Sequence, residues 1–416
     1  MRKMKDSGIE WIGEIPQGWE VRKLKSFGEV KGRIGFKGYT VEDIVDENTP
    51  GRAIVLGGTN IMKDGYISYN KTTYLSEFKY FESPEIMLKG NEILITKVGA
   101  GTGENALYKF IDERVTINPN VMIFIPDQIC NSIYVNYSLL SHYIKADIYL
   151  ESNKSGAQPA INQSYVKNIS ILYPPLPEQQ RIADFLGAKC SKIDDTIEKQ
   201  KTVIEKLKEY KQSIIAEAVT KGLNPDAPMK DSGIEWIGEI PQGWETCRLK
   251  NYAKIMNGQD YKEVFCEDGE FPVMGSGGEF SRANTYLYNK ESVLLGRKGT
   301  INKPIYVEYP FWTVDTMYYT QIYNSMCPKF FYYLTTTINF DFYQYGSAVP
   351  SMTQRDLNNV FFTHPSFKEQ QAIADYLDKK TAQIDKAIEK KQILIEKLTE
   401  YKKSLIYEAV TGKIEV

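Results

Sequence analysis

The sequence predicts an α+β protein: two mixed α/β globular units at opposite ends of two long antiparallel, coiled-coil-like helices, related by a pseudo-two-fold internal repeat. Three observations carry this expectation. The 17 residues MKDSGIEWIGEIPQGWE at Met4–Glu20 recur letter for letter at Met229–Glu245. Two stretches, one in the middle of the chain and one at its end, are proline-free and rich in Lys, Glu, Ile, Leu and Ala. Between them lie short apolar runs punctuated by glycine, as strands in a mixed domain require.

The repeat extends well beyond its opening. GAQPAINQ (Gly156–Gln163) matches SAVPSMTQ (Ser347–Gln354), EQQRIADFL (Glu178–Leu186) matches EQQAIADYL (Glu369–Leu377), and IEKLKEY (Ile204–Tyr210) matches IEKLTEY (Ile395–Tyr401). The offset between the halves shrinks from 225 to 200 to 191 residues within the globular parts, then stays fixed along the helical parts. Length change is tolerated in the globules and excluded from the helices.

In the first unit, strands are expected at Ala53–Leu56, Glu92–Lys97 and Val121–Ile125. An amphipathic helix follows at Tyr134–Tyr149, then a closing strand at Val166–Tyr173. The second unit repeats the scheme with strands at Ser292–Leu295, Pro304–Val307 and Val314–Ile322, a helix near Phe330–Phe342, and a strand at Asn358–Thr363. The first long helix is expected from Glu178 to Thr220, started by Pro177 and stopped by Gly222 and Pro225. Ile193, Ile197, Ile204, Leu207 and Ile214 step by fours and threes, as do Ile384, Ile388, Ile395, Leu398 and Leu405. Gln200, Lys211, Lys391 and Lys402 fill the remaining seam positions, a pattern of coiled-coil character. About 43 residues at ~1.5 Å each make a rod of roughly 65 Å. The first helix leaves unit one and the second leaves unit two, so if they pair they run antiparallel. The boundaries read as 1–173, 174–222, 223–365 and 366–416.

Composition narrows the function. Net charge is −2, so bulk charge announces no nucleic-acid partner, and any DNA binding must be local or assisted. The five cysteines are scattered, without a CxxC pair, which favours a reducing, cytoplasmic setting. No apolar run reaches the roughly 18–20 residues a membrane span needs, and the opening MRKMKDSGIEW has no signal-peptide apolar stretch. Only His142 and His364 are present, which disfavours histidine-based metal or nucleophile chemistry. There is no GxxxxGK[ST], HExxH, GxSxG, zinc spacing or [DN]PP[YFW] tetrad. GAGTG at Gly99–Gly103 reads as a tight turn, and Tyr173-Pro174-Pro175-Leu176 as a linker leading into the helix. The chain reads as one without an active site or metal of its own.

What remains suits recognition. The 29 tyrosines concentrate in the globular units beside Asn, Gln, Lys and Arg, groups able to meet base edges and phosphates. The candidate DNA-binding residues of unit one are Arg22, Lys23, Lys25, Lys31, Arg33, Lys37, Lys71, Lys97, Lys154 and Gln158. Those of unit two are Arg248, Lys250, Lys254, Arg282, Arg297, Lys298 and Arg355. Lys97 and the Arg297–Lys298 pair precede glycines, where a phosphate could approach the backbone closely. Residues shared by the halves suit scaffold, partner-docking or phosphate roles, which carry no sequence information. Specificity then falls to the segments without counterparts: Lys63–Lys79 and Glu104–Arg114 in one unit, Gly258–Val264 and Gly275–Tyr286 in the other.

KDSGIEWIGEIPQGWE opening each half, PLPEQQRIADFL leading into a long helix, and IEKLKEYKQSIIAEAVTKG closing it together resemble the specificity subunit of type I restriction–modification systems. The resemblance spans the whole chain. Departures are small: SFKEQQ stands in the second half for PLPEQQ, and GSAVPS for SGAQPA. It implies two target-recognition domains on double-stranded DNA, with no catalysis and no cofactor in this chain. It also implies two modification subunits carrying S-adenosylmethionine, and restriction subunits using ATP and magnesium. Two other readings are a self-contained methyltransferase or nuclease, and a coiled-coil adaptor for another ligand.

Overall fold

The computed structural model describes all residues except 1, 11, 155–157 and 341–349. The motifs Gly156–Gln163 and Ser347–Gln354, and the end of the helix expected near Phe330–Phe342, therefore lie partly outside the described residues. The chain divides into two compact units: Met1–Lys199 with Ile393–Val416, and Gln200–Gln392. Each long helix contributes one part to each unit, so compactness cuts across the boundaries of the sequence repeat.

Unit one is built on a four-stranded antiparallel sheet, in the order Gly28–Gly32, Val121–Pro126, Ile93–Thr96, Asn105–Leu107. Its two central strands, Val121–Pro126 and Ile93–Thr96, are apolar almost throughout because both of their faces are covered. Ile93 and Ile95 point into a core shared with helical residues, including Tyr134, Val135 and Leu186. Leu94, between them, points into a second core with Ile54, Leu56 and Val115. That second core is closed by another sheet, Val115–Ile117, Ala53–Leu56, Thr73–Leu75, Ile44–Val45, whose first pair is parallel. Unit two repeats the plan with Ala253–Asn257, Met317–Ile322, Ser292–Gly296, Ile305–Val307. Val293 and Leu295 face one core and Leu294 the other.

The structure corrects several expected elements. The single helix over Tyr134–Tyr149 is two, Ser132–Leu140 and His142–Ser152. They break at Ser141, whose backbone is extended and whose hydroxyl donates to the Ser138 carbonyl, the local competition that serine offers a helix. The closing strand starts later than expected: Val166 sits in a short helix, Gln163–Lys167, and only Ser170–Tyr173 is strand. Asn162 starts that helix by accepting from the Tyr165 N–H at 2.8 Å. Unit two does the same, with Thr353 capping Gln354–Asn359 before the strand Phe361–His364. The helix expected near Phe330 is Pro328–Thr335. Thr335, Thr336 and Thr337 each turn a hydroxyl back onto a carbonyl three residues earlier, at 2.7 Å, where it ends.

The long helices run Leu176–Lys221, 46 residues, and Phe367–Val410, 44 residues. Each is followed by a glycine at positive φ, Gly222 at 76° and Gly412 at 70°. Space reinforces the requirement. A Cβ on Gly412 would stand 2.5 Å from Pro16, and one on Gly222 3.1 Å from Trp244. Within unit one Ile193 and Leu405 are buried and Ile197, Leu398 and Ile395 half-buried. Lys402 reaches Asp194 at 2.7 Å, the register of antiparallel segments. Within unit two Ile204, Ile214 and Ile384 are buried and Leu207 and Ile388 half-buried. There Lys211 meets Asp385 at 2.7 Å, and Lys391 donates to Gln200 at 3.0 Å.

Candidate nucleic-acid interface

The repeated motif residues build the same joint in each unit. The Trp19 indole N–H donates to Glu178 at 3.0 Å, and that of Trp244 to Glu369 at 3.1 Å. The glutamine after each glutamate ties the helix start to its surroundings. Gln179 accepts from the Asn131 N–H and donates to the Pro174 carbonyl, at 2.9 Å each. Gln370 accepts from the Cys327 N–H at 2.9 Å and donates to the Pro365 carbonyl at 3.0 Å. The EQQ triplet is thus a joint between the globular part and its helix.

Beside this joint lies a two-stranded ribbon, again in both units. Glu20–Lys23 pairs with Ser170–Tyr173, and Glu245–Arg248 with Phe361–His364. Cations stand on the ribbon and on the turn that follows it. Arg22 lies 4.1 Å over the Tyr173 ring and pairs with Glu20, and Lys23 donates to the Ser170 hydroxyl at 2.9 Å. Lys25 donates to Asn168 at 3.1 Å. In unit two Arg248 lies 5.1 Å over Phe361 and donates to Asn359, the repeat counterpart of Asn168, at 3.1 Å. Lys250, Lys254 and Arg355 are exposed and their side chains have no hydrogen-bond or ionic partner among the described residues. Lys23 and Lys25 thus have equivalents in Arg248 and Lys250, while Arg22, Lys254 and Arg355 each stand in one half only.

The glycine turns form a second repeated feature. Gly99 and Gly299, at φ of 106° and 83°, donate N–H groups to the Pro159 and Pro350 carbonyls at 3.1 and 3.0 Å. The Ile161 N–H meets the Lys97 carbonyl at 2.8 Å and that of Met352 the Arg297 carbonyl at 3.0 Å. The Lys97 backbone is thereby paired with Ile161, and Gln158 and Lys298 are exposed. Arg297 donates to the Asp315 carbonyl at 3.3 Å.

Other candidates lie apart. Arg33 is the clearest departure from a surface role: it is 6% exposed, donating to the Ile117 carbonyl, Ser83 and Thr116. Burial pulls its pKa down, partly offset by Tyr39, Glu85 and Glu82. It ties the end of the strand Gly28–Gly32 to Val115–Ile117 of the second sheet from inside. Lys37 donates to the Glu82 carbonyl at 2.9 Å, Lys31 pairs with Glu29 at 2.6 Å, Arg282 with Glu279 at 2.9 Å, and Lys154 with Glu151. Lys71 is exposed on the divergent Lys63–Lys79 segment. Sequence reasoning missed the joint made by Trp19 and Glu178. The exact repetition of both residues was the signal that could have found it.

Among the described residues no cluster of three or more His, Cys, Asp or Glu could hold a metal, and no helix is long and apolar enough to cross a membrane. The five cysteines are unpaired.

Comparison with known proteins points the same way. The type I restriction modification DNA specificity domain matches twice, over residues 16–209 and 241–397. Two proteins of Methanocaldococcus jannaschii are similar over nearly their whole length. A putative type I restriction enzyme MjaX specificity subunit is 28% identical, covering 97% of this chain and 96% of that protein. The type I restriction enzyme MjaVIII specificity subunit is 27% identical, covering 97% and 94%. In fold, the chain resembles one from a structure of type I R-M complex assembly and conformational transition, with a TM-score of 0.73, 16% identity, and 96% and 99% of the two chains covered. It also resembles the HsdS subunit from Thermoanaerobacter tengcongensis, with a TM-score of 0.51, 16% identity, and 96% and 98% covered. With the family domain matched once in each half and the relatives matched end to end, this chain belongs to the type I restriction–modification specificity subunits, non-catalytic proteins whose two domains recognise DNA.

Proposed function

We propose that each recognition domain, 1–173 and 223–365, reads one half of a split, asymmetric double-stranded DNA site. The helices 174–222 and 366–416 set the gap between the halves and dock two modification subunits, and through them restriction subunits. In this reading S-adenosylmethionine belongs to the modification subunits and ATP and magnesium to the restriction subunits, all in the cytoplasm. The observation that carries it is the combination of a repeated basic ribbon with unrepeated segments. Lys23 and Lys25 of unit one match Arg248 and Lys250 of unit two in the repeat, beside Asn168 and Asn359, and suit phosphate contacts, which position a protein without reading sequence. The divergent segments, two in each unit, supply different surfaces for different half-sites.

Half-sites about one helical turn apart, ~34–36 Å, would present themselves on one face of the duplex. An added turn in each helix is expected to lengthen the unread gap while both half-motifs stay as they are. Because the chain carries a net charge of −2, the partners would supply much of the phosphate neutralisation. The decisive experiment co-expresses the chain with its modification subunit in a methylation-free host and maps N6-methyladenine across the genome. A split motif supports the reading; an unsplit motif, or methylation without the partner, overturns it.

A further inference from the structure

We infer that Tyr66 is a positioning residue, clamping the divergent segment of unit one to both long helices and so fixing how far its half-site lies from the other. This rests on the split-site reading above. Tyr66 stands at the tip of a tight loop that has no counterpart in the second half. Asn60 organises the loop, accepting from the Gly57 N–H at 2.8 Å and donating to the Ser68 and Lys71 carbonyls at 2.9 and 3.1 Å. Gly65, at a φ of 85°, makes the turn. From that tip the Tyr66 hydroxyl donates to Asp194 of the first helix at 2.8 Å. Lys402 of the second helix holds the same carboxylate at 2.7 Å through both oxygens, and its ammonium lies 5.6 Å over the Tyr66 ring. A single phenol therefore touches both helices. Burial, with the Asp194 carboxylate next, raises the Tyr66 pKa far above its usual range, so it stays a donor.

The other unit is fastened differently. Asp385, the repeat counterpart of Asp194, takes Lys211, while unit two is braced by Lys329 and by the Tyr333 hydroxyl, which reaches Asp378 at 2.7 Å. The position matching Asp378 in the first helix is Gly187, which has no side chain to offer. The helix-to-helix ion pair is common to both units, whereas the contact from Tyr66 comes from a divergent segment, and the Lys329 and Tyr333 contacts come from the helix Pro328–Thr335. A group needed only to hold the helices together would have been repeated.

The test uses the full complex with the modification subunit and compares Tyr66→Phe and Asp194→Asn with the native chain by N6-methyladenine mapping. Co-purification with the modification subunit and a single cooperative thermal transition verify folding. Tyr66→Phe keeps the ring, its cation–π contact and the Asp194–Lys402 pair, and removes only the hydroxyl's hold on Asp194. Sites whose gap is one base pair too long or too short should gain methylation relative to native-gap sites by roughly threefold to tenfold, the scale of one ordinary solvent-exposed hydrogen bond. The bases read in each half-site should stay as they are. If the gap distribution of Tyr66→Phe matches that of the native chain, Tyr66 has no positioning role, although the split-site reading survives. An unsplit motif in the native complex would instead overturn the reading beneath it.

Discussion

At the scale of single residues, the duplicated tryptophan–glutamate pairs differ in what they do for stability. Glu178 is 8% exposed and accepts from both Trp19 and Arg2, whereas Glu369 is exposed and serves Trp244 and Ser366. Glu178→Ala would strand a buried indole N–H and is expected to cost about 2–3 kcal/mol in urea unfolding, against about 1 kcal/mol for Glu369→Ala. The hydroxyl of Ser366, followed by the Trp244 indole, lowers the Glu369 pKa below its ordinary 4.5. A carboxylate depressed in the folded state contributes above its unfolded pKa, and that contribution disappears as pH falls through the folded value. Acid titration should therefore weaken the native chain as pH drops below about 4.5 more than it weakens Glu369→Gln. Thiols give a second test. Burial pushes Cys130 up to about 12 and Cys190 up to about 11, and Cys327 is buried, while Cys247 and Cys266 are partly accessible. A thiol reagent at pH 8 should modify Cys247 and Cys266 promptly and the other three only after denaturation.

At the scale of elements, the seam mixes apolar and polar positions rather than being uniformly apolar. Ile193→Ala and Ile384→Ala each remove a buried branched side chain and should cost about 2–4 kcal/mol by chemical denaturation. Polar positions specify alignment instead of strength. Replacing Gln200 and Lys391 together by Leu should leave unfolding resistance equal or higher, and relax the antiparallel register, as crosslinking between engineered cysteine pairs would show. Periodicity made these helices legible in the sequence, because apolar residues stepping by four and three fall on one face of a helix and on both faces of a strand. The short capped helices after Asn162 and Thr353 were not legible. Val166 and its neighbours read as strand, and only the side-chain caps reveal that the backbone turns first.

At the scale of the whole molecule, duplication followed by divergence makes the recognition domains separable parts. Replacing residues 246–360 with the corresponding segment of another specificity subunit should change one half of the methylated motif and leave the other intact, as genome-wide N6-methyladenine mapping would show. A change in both halves would mean that the reading surfaces are coupled.

The sequence by itself determined the repeat, the two long helices with their seam, the family, and the want of catalytic motifs. Those features are written in spacing and identity, which chain order preserves. The tertiary structure decided which cations share a surface. Arg33 and Lys37 sit among the same basic run as Lys25, yet Arg33 is buried against Ile117 and Thr116 while Lys25 is exposed on the turn after the ribbon, beside Asn168. It also decided that Tyr66 meets Asp194 and Lys402, residues 128 or more positions away in the chain. Contacts of that kind arise from how the sheets and helices pack, and no local pattern of residue types encodes them.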